Sequence, residues 1–290
     1  MRTSTETNSI ARIVGEERAV ELIAKAGFEA WDFSLTNMWI CDWKNREFSF
    51  SDHPLAKDNY LEFARRLRRI GEDNGIVCNQ SHAPFPCYAD CYEKIEKFIK
   101  RAIECTAEAG GEHCIIHPDA FITPEENAEM YAKLLPFAKE CGVKIATENM
   151  WGWDAEKDEA TPLACSPHTN FKAHLDALPD DYYVACLDIG HAEMRGTQTS
   201  AVDMVYTLGD KLEALHIHDV DLHHDNHQIP FSLKVDFQPI AKALRDIGYK
   251  GWYTLEAVRY LDTFDESNVL EGVVDLHTAA EKFEKMVIGE

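Results

Sequence analysis

The chain reads as a single (β/α)8 TIM barrel over residues 1–290, and three observations predict that architecture. Short apolar runs alternate with amphipathic helical patterns eight times along the sequence. Those runs are nearly continuous in apolar residues, as strands are when helices cover a parallel sheet. No Gly-x-Gly-x-x-Gly turn follows the first run, so a closed barrel fits better than an open dinucleotide-binding sheet. Length agrees, since such barrels run to about 250 residues and more with insertions.

Residues 2–8, polar and short, supply the first strand, and 15–26 a helix stopped by Gly27. Residues 30–35 alternate as the second strand. A loop rich in aromatics (Trp39, Trp43, Phe48, Phe50) then leads to a helix over 59–74. The third strand lies at 75–79 with its helix at 92–109. The fourth lies at 114–116, followed by a helix over 124–141 with Thr123 as N-cap and Pro124 in its first turn. Strands at 143–147, 182–187, 212–217 and 252–255 pair with helices at 170–178, 200–208, 238–247 and 271–287. No linker or low-complexity break interrupts the series, which predicts one domain.

Composition narrows the function. The hydrophobic fraction of 45% is enough for a sizeable core, and no apolar run approaches a membrane span. The N-terminus has no signal-peptide core, so a soluble, cytoplasmic protein without a membrane partner is expected. Nine cysteines, an odd number with no Cys-x-x-Cys pair, argue against a disulfide framework and against a cysteine zinc site. The net charge of −22, with no basic cluster, opposes nucleic-acid binding, which relies on cations displacing phosphate counterions. A small substrate is expected, neutral or with its charge met by a metal, and a homo-oligomer is compatible with the sequence.

Metal-type donors recur where the apolar runs stop. The third strand leads to His82, the fourth ends at His117, the fifth at Glu148, and the sixth at Asp188 with His191 beyond it. The seventh reaches His216 and His218, and the eighth ends at Glu256. The stretch from Glu213 to His227 holds five histidines and three aspartates, donors suited to a divalent ion. Catalytic groups of such barrels lie at the C-terminal strand ends, so these residues converge on one mouth. Several carboxylates gathered there would cost several kcal/mol or shift their pKa values strongly without a cation. One acid at a strand end is commonly a cap or a solvated loop residue; six successive ends carrying His, Asp or Glu favour a metal.

In order and placement, Thr147-Glu148-Asn149, Leu187-Asp188-Ile189-Gly190-His191, Leu215-His216-Ile217-His218-Asp219-Val220-Asp221 and Tyr253-Thr254-Leu255-Glu256 resemble the xylose-isomerase-like barrel superfamily. That superfamily includes ketose 3-epimerases, hydroxypyruvate isomerases, inosose dehydratases and the endonuclease IV group. The resemblance covers nearly the whole chain. It implies that Glu148, Asp188, His218 and Glu256 ligate one divalent ion. His218 is preferred because a polar residue, Asp221, follows it three positions later; His216, on the same face, is the runner-up and otherwise a substrate contact. Three carboxylates and one imidazole suit Mn²⁺ first, with Mg²⁺, Co²⁺ or Zn²⁺ as alternatives.

The resemblance further implies a sugar or sugar-like isomerase or epimerase. In that chemistry the metal stabilises an enediolate, and Glu148 and Glu256 remove and return the proton. His191, Asp154, Trp151 and Trp153 are expected to hold a small carbohydrate substrate, with Trp31, Trp39 and Trp43 as further candidates for its walls. His224 stands where the ketose epimerases carry an arginine, and the loop after Pro230 lacks their glycines. An inosose dehydratase-type lyase is an alternative on the same barrel. A second alternative is a multi-zinc phosphodiester hydrolase like endonuclease IV. Its nine-ligand pattern falls on His82, His117, Glu148, Asp188, His191, His218, Asp225, His227 and Glu256. His82, His117, His191, Asp225 and His227 are thus candidates for a second metal site or for substrate contacts. Against the hydrolase, residues 118–127 contain no lysine or arginine, and 151–165 only Lys157.

Overall fold

The computed structural model describes residues 2–289 and shows, among them, an eight-stranded parallel sheet. The strands are β1 (Thr3–Glu6), β2 (Ala30–Ser34), β3 (Val77–His82), β4 (His113–Ile115), β5 (Lys144–Glu148), β6 (Tyr183–Asp188), β7 (Leu212–His216) and β8 (Tyr253–Leu255). They neighbour one another in sequence order, and β1 also pairs with β8. Closure is made just beyond β7, where Ile217 pairs with Leu255. There the Ile217 amide donates to the Thr254 carbonyl (2.9 Å) and the Glu256 amide to Ile217 (3.0 Å). The result is a TIM barrel, with helices covering the outside of the sheet.

β1 is wholly buried although its residues Thr3 to Glu6 are polar. Their partners explain it: Thr3 Oγ1 donates to Glu29 (2.6 Å) and Ser4 Oγ to Asn79 (2.7 Å) across the barrel. Asn79 is the extra residue of a bulge, since Trp31 pairs with Cys78 and Asp32 with Gln80. One side of the lumen is therefore a hydrogen-bonded layer of Ser4, Asn79, Gln80 and Thr254. The other is a small apolar cluster of Ile115, Ala146, Val184, Cys186 and Ala214. The main core lies between sheet and helices, built on residues such as Trp31, Phe98, Phe171 and Phe283.

The outer helices follow the sequence closely. Pro124–Cys141 starts with a capping box, in which Thr123 Oγ1 accepts from the Glu126 amide and Glu126 accepts from the Thr123 amide. Asn8–Val14, whose first residue the sequence pattern places in the first strand, and Ile189–Glu193 are short helices where none is expected, and two further features differ. The aromatic loop after β2 contains a ribbon, Trp39–Asp42 paired with Glu47–Phe50, in which Trp39 stacks on Phe48. A second ribbon, Trp151–Asp154 with Glu159–Pro162, extends β5 above the barrel mouth. Both hairpins are short, and their alternation is masked by turn residues. Among the described residues no helix is long and apolar enough to cross a membrane, and the nine cysteines are free thiols.

Candidate functional site

The C-terminal strand ends open into a cavity of about 690 Å³ lined by Asp32, His82, His117, Glu148, His191, Asp225, His227 and Glu256, among others. That volume suits a small-molecule site. Glu148 is the last residue of β5 and Asp188 the last of β6; both are buried. Glu256 follows β8 and keeps 16% of its side chain exposed against 1% for Glu148, so it is the glutamate that opens to the cavity.

Donor atoms of Glu148, Asp188, His216 and Glu256 all lie within 4.8 Å of one another. His216 Nδ1 is 3.0 Å from Glu148 Oε1 and 3.5 Å from Glu256 Oε2. His216 is the histidine within this donor group, and His218, the ligand that the resemblance implies, lies against Asp188 of the same group. His218 Nε2 sits 3.0 Å from Asp188 Oδ1 and belongs to a different group with His191, Asp225 and His227. Both imidazoles are buried, and two strand residues climb about 6–7 Å along the barrel. His216 thus occupies the floor and His218 the layer above. Gly190 makes that layer possible, because a Cβ there would lie 2.0 Å from His218 Cε1.

A third group joins His82, His117 and Glu148, and a fourth joins His82, His216 and Glu256. Glu148 is the hinge between groups: Oε1 faces His216, while Oε2 lies 3.1 Å from His117 Nε2 and 3.6 Å from His82 Nε2. Several rings are held from behind. The Nδ1–H groups of His82, His191 and His227 donate to the carbonyls of Ala83 (2.8 Å), Asn149 (3.0 Å) and Glu256 (2.8 Å). Each then turns Nε2 inward, His191 and His227 onto Asp225. In the neutral ring that nitrogen is a lone pair facing a carboxylate, an arrangement a cation relieves and one usual for metal-ligating imidazoles. Glu148 Oε2 and Asp225 Oδ1 are buried without a hydrogen-bond donor, which fits the same purpose. The residues present fit divalent metal, oxygen-rich in the first group and imidazole-rich in the others.

The electrostatics agree. Burial pushes the Glu148 carboxyl up, yet the imidazoles around it, His216 foremost, hold it well below the carboxylate range. Asp188 behaves alike: burial raises it, and His191 and His218 bring it down to about 2. Glu256 goes the other way, raised by burial that His216 and His227 only partly offset. Burial lowers His191, but Asp188 and Asp225 overcome it and lift the ring well above its ordinary value. Glu148 and Asp188 are thus arranged to be ionised and to draw positive charge into a buried place.

Three supporting residues escaped the sequence reading. Asp32 Oδ2 stands 3.4 Å from His216 Nε2, behind the ring whose Nδ1 faces the donors, and is itself held by Gln80 Nε2 (3.0 Å). Asn149 exchanges hydrogen bonds with the Asp188 backbone (2.9 and 2.8 Å), locking β5 to β6 at the level of the donors. Glu6, at the end of β1, is buried in the cavity wall and accepts from the Ser9 amide (3.0 Å). A polar residue inside an otherwise apolar strand, as at Asp32, was the available signal.

The remaining expectations divide. Trp151 lines the cavity and meets His191 edge-on, and Trp43 lines it as well. Trp31 and Trp39 pack in or against the core. Asp154 and Trp153 do not line the cavity: Asp154 closes the ribbon turn onto the Glu156 and Lys157 amides, and Trp153 stacks on His224. Within the histidine-rich run, Asp219 accepts from the amides of Leu233, Lys234 and Val235, and Asp221 from those of His223 and His224. Those two aspartates shape the loop that presents Asp225 and His227.

Comparison with known proteins follows the same lines. An uncharacterised protein of Methanocaldococcus jannaschii is 23% identical over 273 residues, covering 89% of this chain and 84% of its own. Among solved structures, a D-tagatose 3-epimerase-like protein superposes with a TM-score of 0.72 at 19% identity, covering 100% of this chain and 99% of its own. An L-ribulose 3-epimerase gives 0.71 at 14%, covering 99% and 96%. A sugar phosphate isomerase/epimerase from Parabacteroides distasonis gives 0.63 at 18%, covering 98% and 95%. At these identities the structural likeness establishes the fold. The sequence pattern of one family matches residues 20–273, and the chain belongs to that family, the xylose isomerase-like TIM barrels.

Proposed function

We propose that the protein is a divalent-metal-dependent isomerase or epimerase of a sugar or sugar-like substrate, working in the cytoplasm, where its free thiols would stay reduced. The observation that carries this reading is that Glu148 and Glu256, from two different strands, share one donor group with Asp188 and His216 beneath a sugar-sized cavity. The epimerase neighbours support it at the level of fold. A divalent ion in that group, Mn²⁺ being the best match to its oxygen-rich donors, would polarise the substrate carbonyl and acidify the adjacent C–H. Glu256, open to the cavity, is placed to take the proton from that carbon. Glu148, whose Oε1 meets His216 and whose Oε2 lies beside His117 without a hydrogen bond, is placed to return it from its own side. Trp151 and Phe85 wall the cavity against water.

The test is exchange. Incubation with candidate ketoses in deuterated water should place deuterium on the carbon next to the carbonyl. Glu256→Gln or Glu148→Gln should reduce that exchange about 10²–10⁴-fold with the fold intact by circular dichroism. Near-wild-type exchange in either variant would sink the acid/base pair.

A second reading has its own observation. Glu148 points one oxygen into each of two donor groups, as a carboxylate bridging two metals does. A multi-zinc phosphoester hydrolase would use that arrangement, and cleavage of abasic-site DNA without deuterium exchange would favour it. The acidic chain weighs against a nucleic-acid partner.

A further inference from the structure

Resting on the isomerase reading, we propose that Arg259 recognises an anionic group, a phosphate ester or a carboxylate, on the end of the substrate remote from the donor group. Arg259 lines the same cavity as Glu148 and Glu256 and is exposed there. Its backbone is fixed to the ligand loop. The Arg259 amide donates to the His227 carbonyl (3.2 Å), and His227 Nδ1–H donates to the Glu256 carbonyl (2.8 Å). Among the described residues it is the one lysine or arginine lining this cavity, and there its guanidinium makes neither an ion pair nor a hydrogen bond.

That isolation is informative in a chain with 51 acidic and 29 basic residues, where cations have carboxylates to spare. The nearby Arg12 shows the ordinary outcome, spent on the Val258 carbonyl (2.9 Å) and Asp262 (3.3 Å). The carboxylates of the cavity include Asp32, Glu148, Asp225 and Glu256, so an anionic substrate meets favourable charge only where Arg259, a protonated imidazole such as His191, or bound metal faces it. A guanidinium fork matches a phosphate or carboxylate in two parallel hydrogen bonds. Trp43, Phe85 and Trp151 also line the cavity and offer apolar surface to a sugar's C–H face. A substrate lying along them would present its carbonyl to the donor group and its charged end to Arg259.

The test is calorimetric binding to the metal-loaded protein of three probes: D-fructose, D-fructose 6-phosphate and a hexuronate. Wild type should bind at least one anionic probe about tenfold or more tighter than fructose. R259Q should erase that margin while fructose affinity and metal stoichiometry stay unchanged, and R259K should restore part of it. The phosphate and hexuronate arms tell which anion is meant. Equal binding of all three probes, binding of none at millimolar concentration, a uniform loss in R259Q, or a margin that survives R259Q would each overturn the assignment. Binding is read without turnover, so failure of deuterium exchange would refute the isomerase reading while leaving this result standing.

Discussion

Asp32 stands behind His216, 3.4 Å from its Nε2, and so backs the donor group on the barrel floor. Its carboxylate lies behind Nε2 while Nδ1 faces Glu148 and Glu256. Partners of this kind are worth about 10–100-fold in metal affinity, so Asp32→Asn should lower Mn²⁺ affinity by that factor in equilibrium dialysis. Unchanged affinity would show that Asp32 serves only the lumen hydrogen bonds. Gly190 is a steric counterpart: a Cβ would meet His218 at 2.0 Å with the ring buried. Gly190→Ala should cost about 1–3 kcal/mol in urea unfolding by pushing His218 off Asp188; an unshifted midpoint would contradict that packing. Glu6 makes a pH prediction. Burial lifts its carboxyl to about 7, with Glu256 and Asp32 adding to the rise against hydrogen bonds from Ser9. The folded state therefore holds the proton more tightly than the unfolded chain, stabilising the fold below pH 4.5 and losing that contribution as pH rises through about 7. In chelator, the stability of wild type relative to Glu6→Gln should fall by about 3 kcal/mol across that window. A pH-independent difference would refute it.

At the scale of elements, the strand ends were the most legible feature, because a period of apolar residues that stops on a donor can be read without neighbours. Strands β5, β6 and β8 end on, or one residue before, Glu148, Asp188 and Glu256. The helices were legible for a similar reason, and the 124–141 element was marked by its own cap. Thr123→Ala should cost about 1 kcal/mol in thermal or urea unfolding; no loss would mean that outer packing alone sets that helix start. What could not be read depends on the third dimension. The layer separating His216 from His218 comes from closure at Ile217, a contact between segments far apart in sequence. Asp154 and Trp153 were read as substrate contacts by their distance from Glu148, but the chain turns back there as a ribbon and carries both away from the cavity. Asp219 and Asp221 looked like donors by composition, and backbone amides of the loop claim their carboxylates.

Across the whole molecule, the barrel gathers at one mouth the charges that the sequence disperses over successive units. Four donor groups meet there among the described residues, two of them sharing Glu148, at the base of a cavity in an acidic protein. Buried carboxylates with imidazoles turned onto them are tolerable when a cation joins them, and that is the central claim. The measurement that tests it most directly is elemental analysis of protein purified without chelator, with His216→Ala beside it. A stoichiometric divalent ion is expected, one Mn²⁺-type ion per chain for the isomerase, together with its loss from the variant. Two or three zinc ions would keep the metal centre and shift the chemistry to the hydrolase. Wild-type protein that carries no metal, and takes up none from excess Mn²⁺ or Zn²⁺, would contradict it.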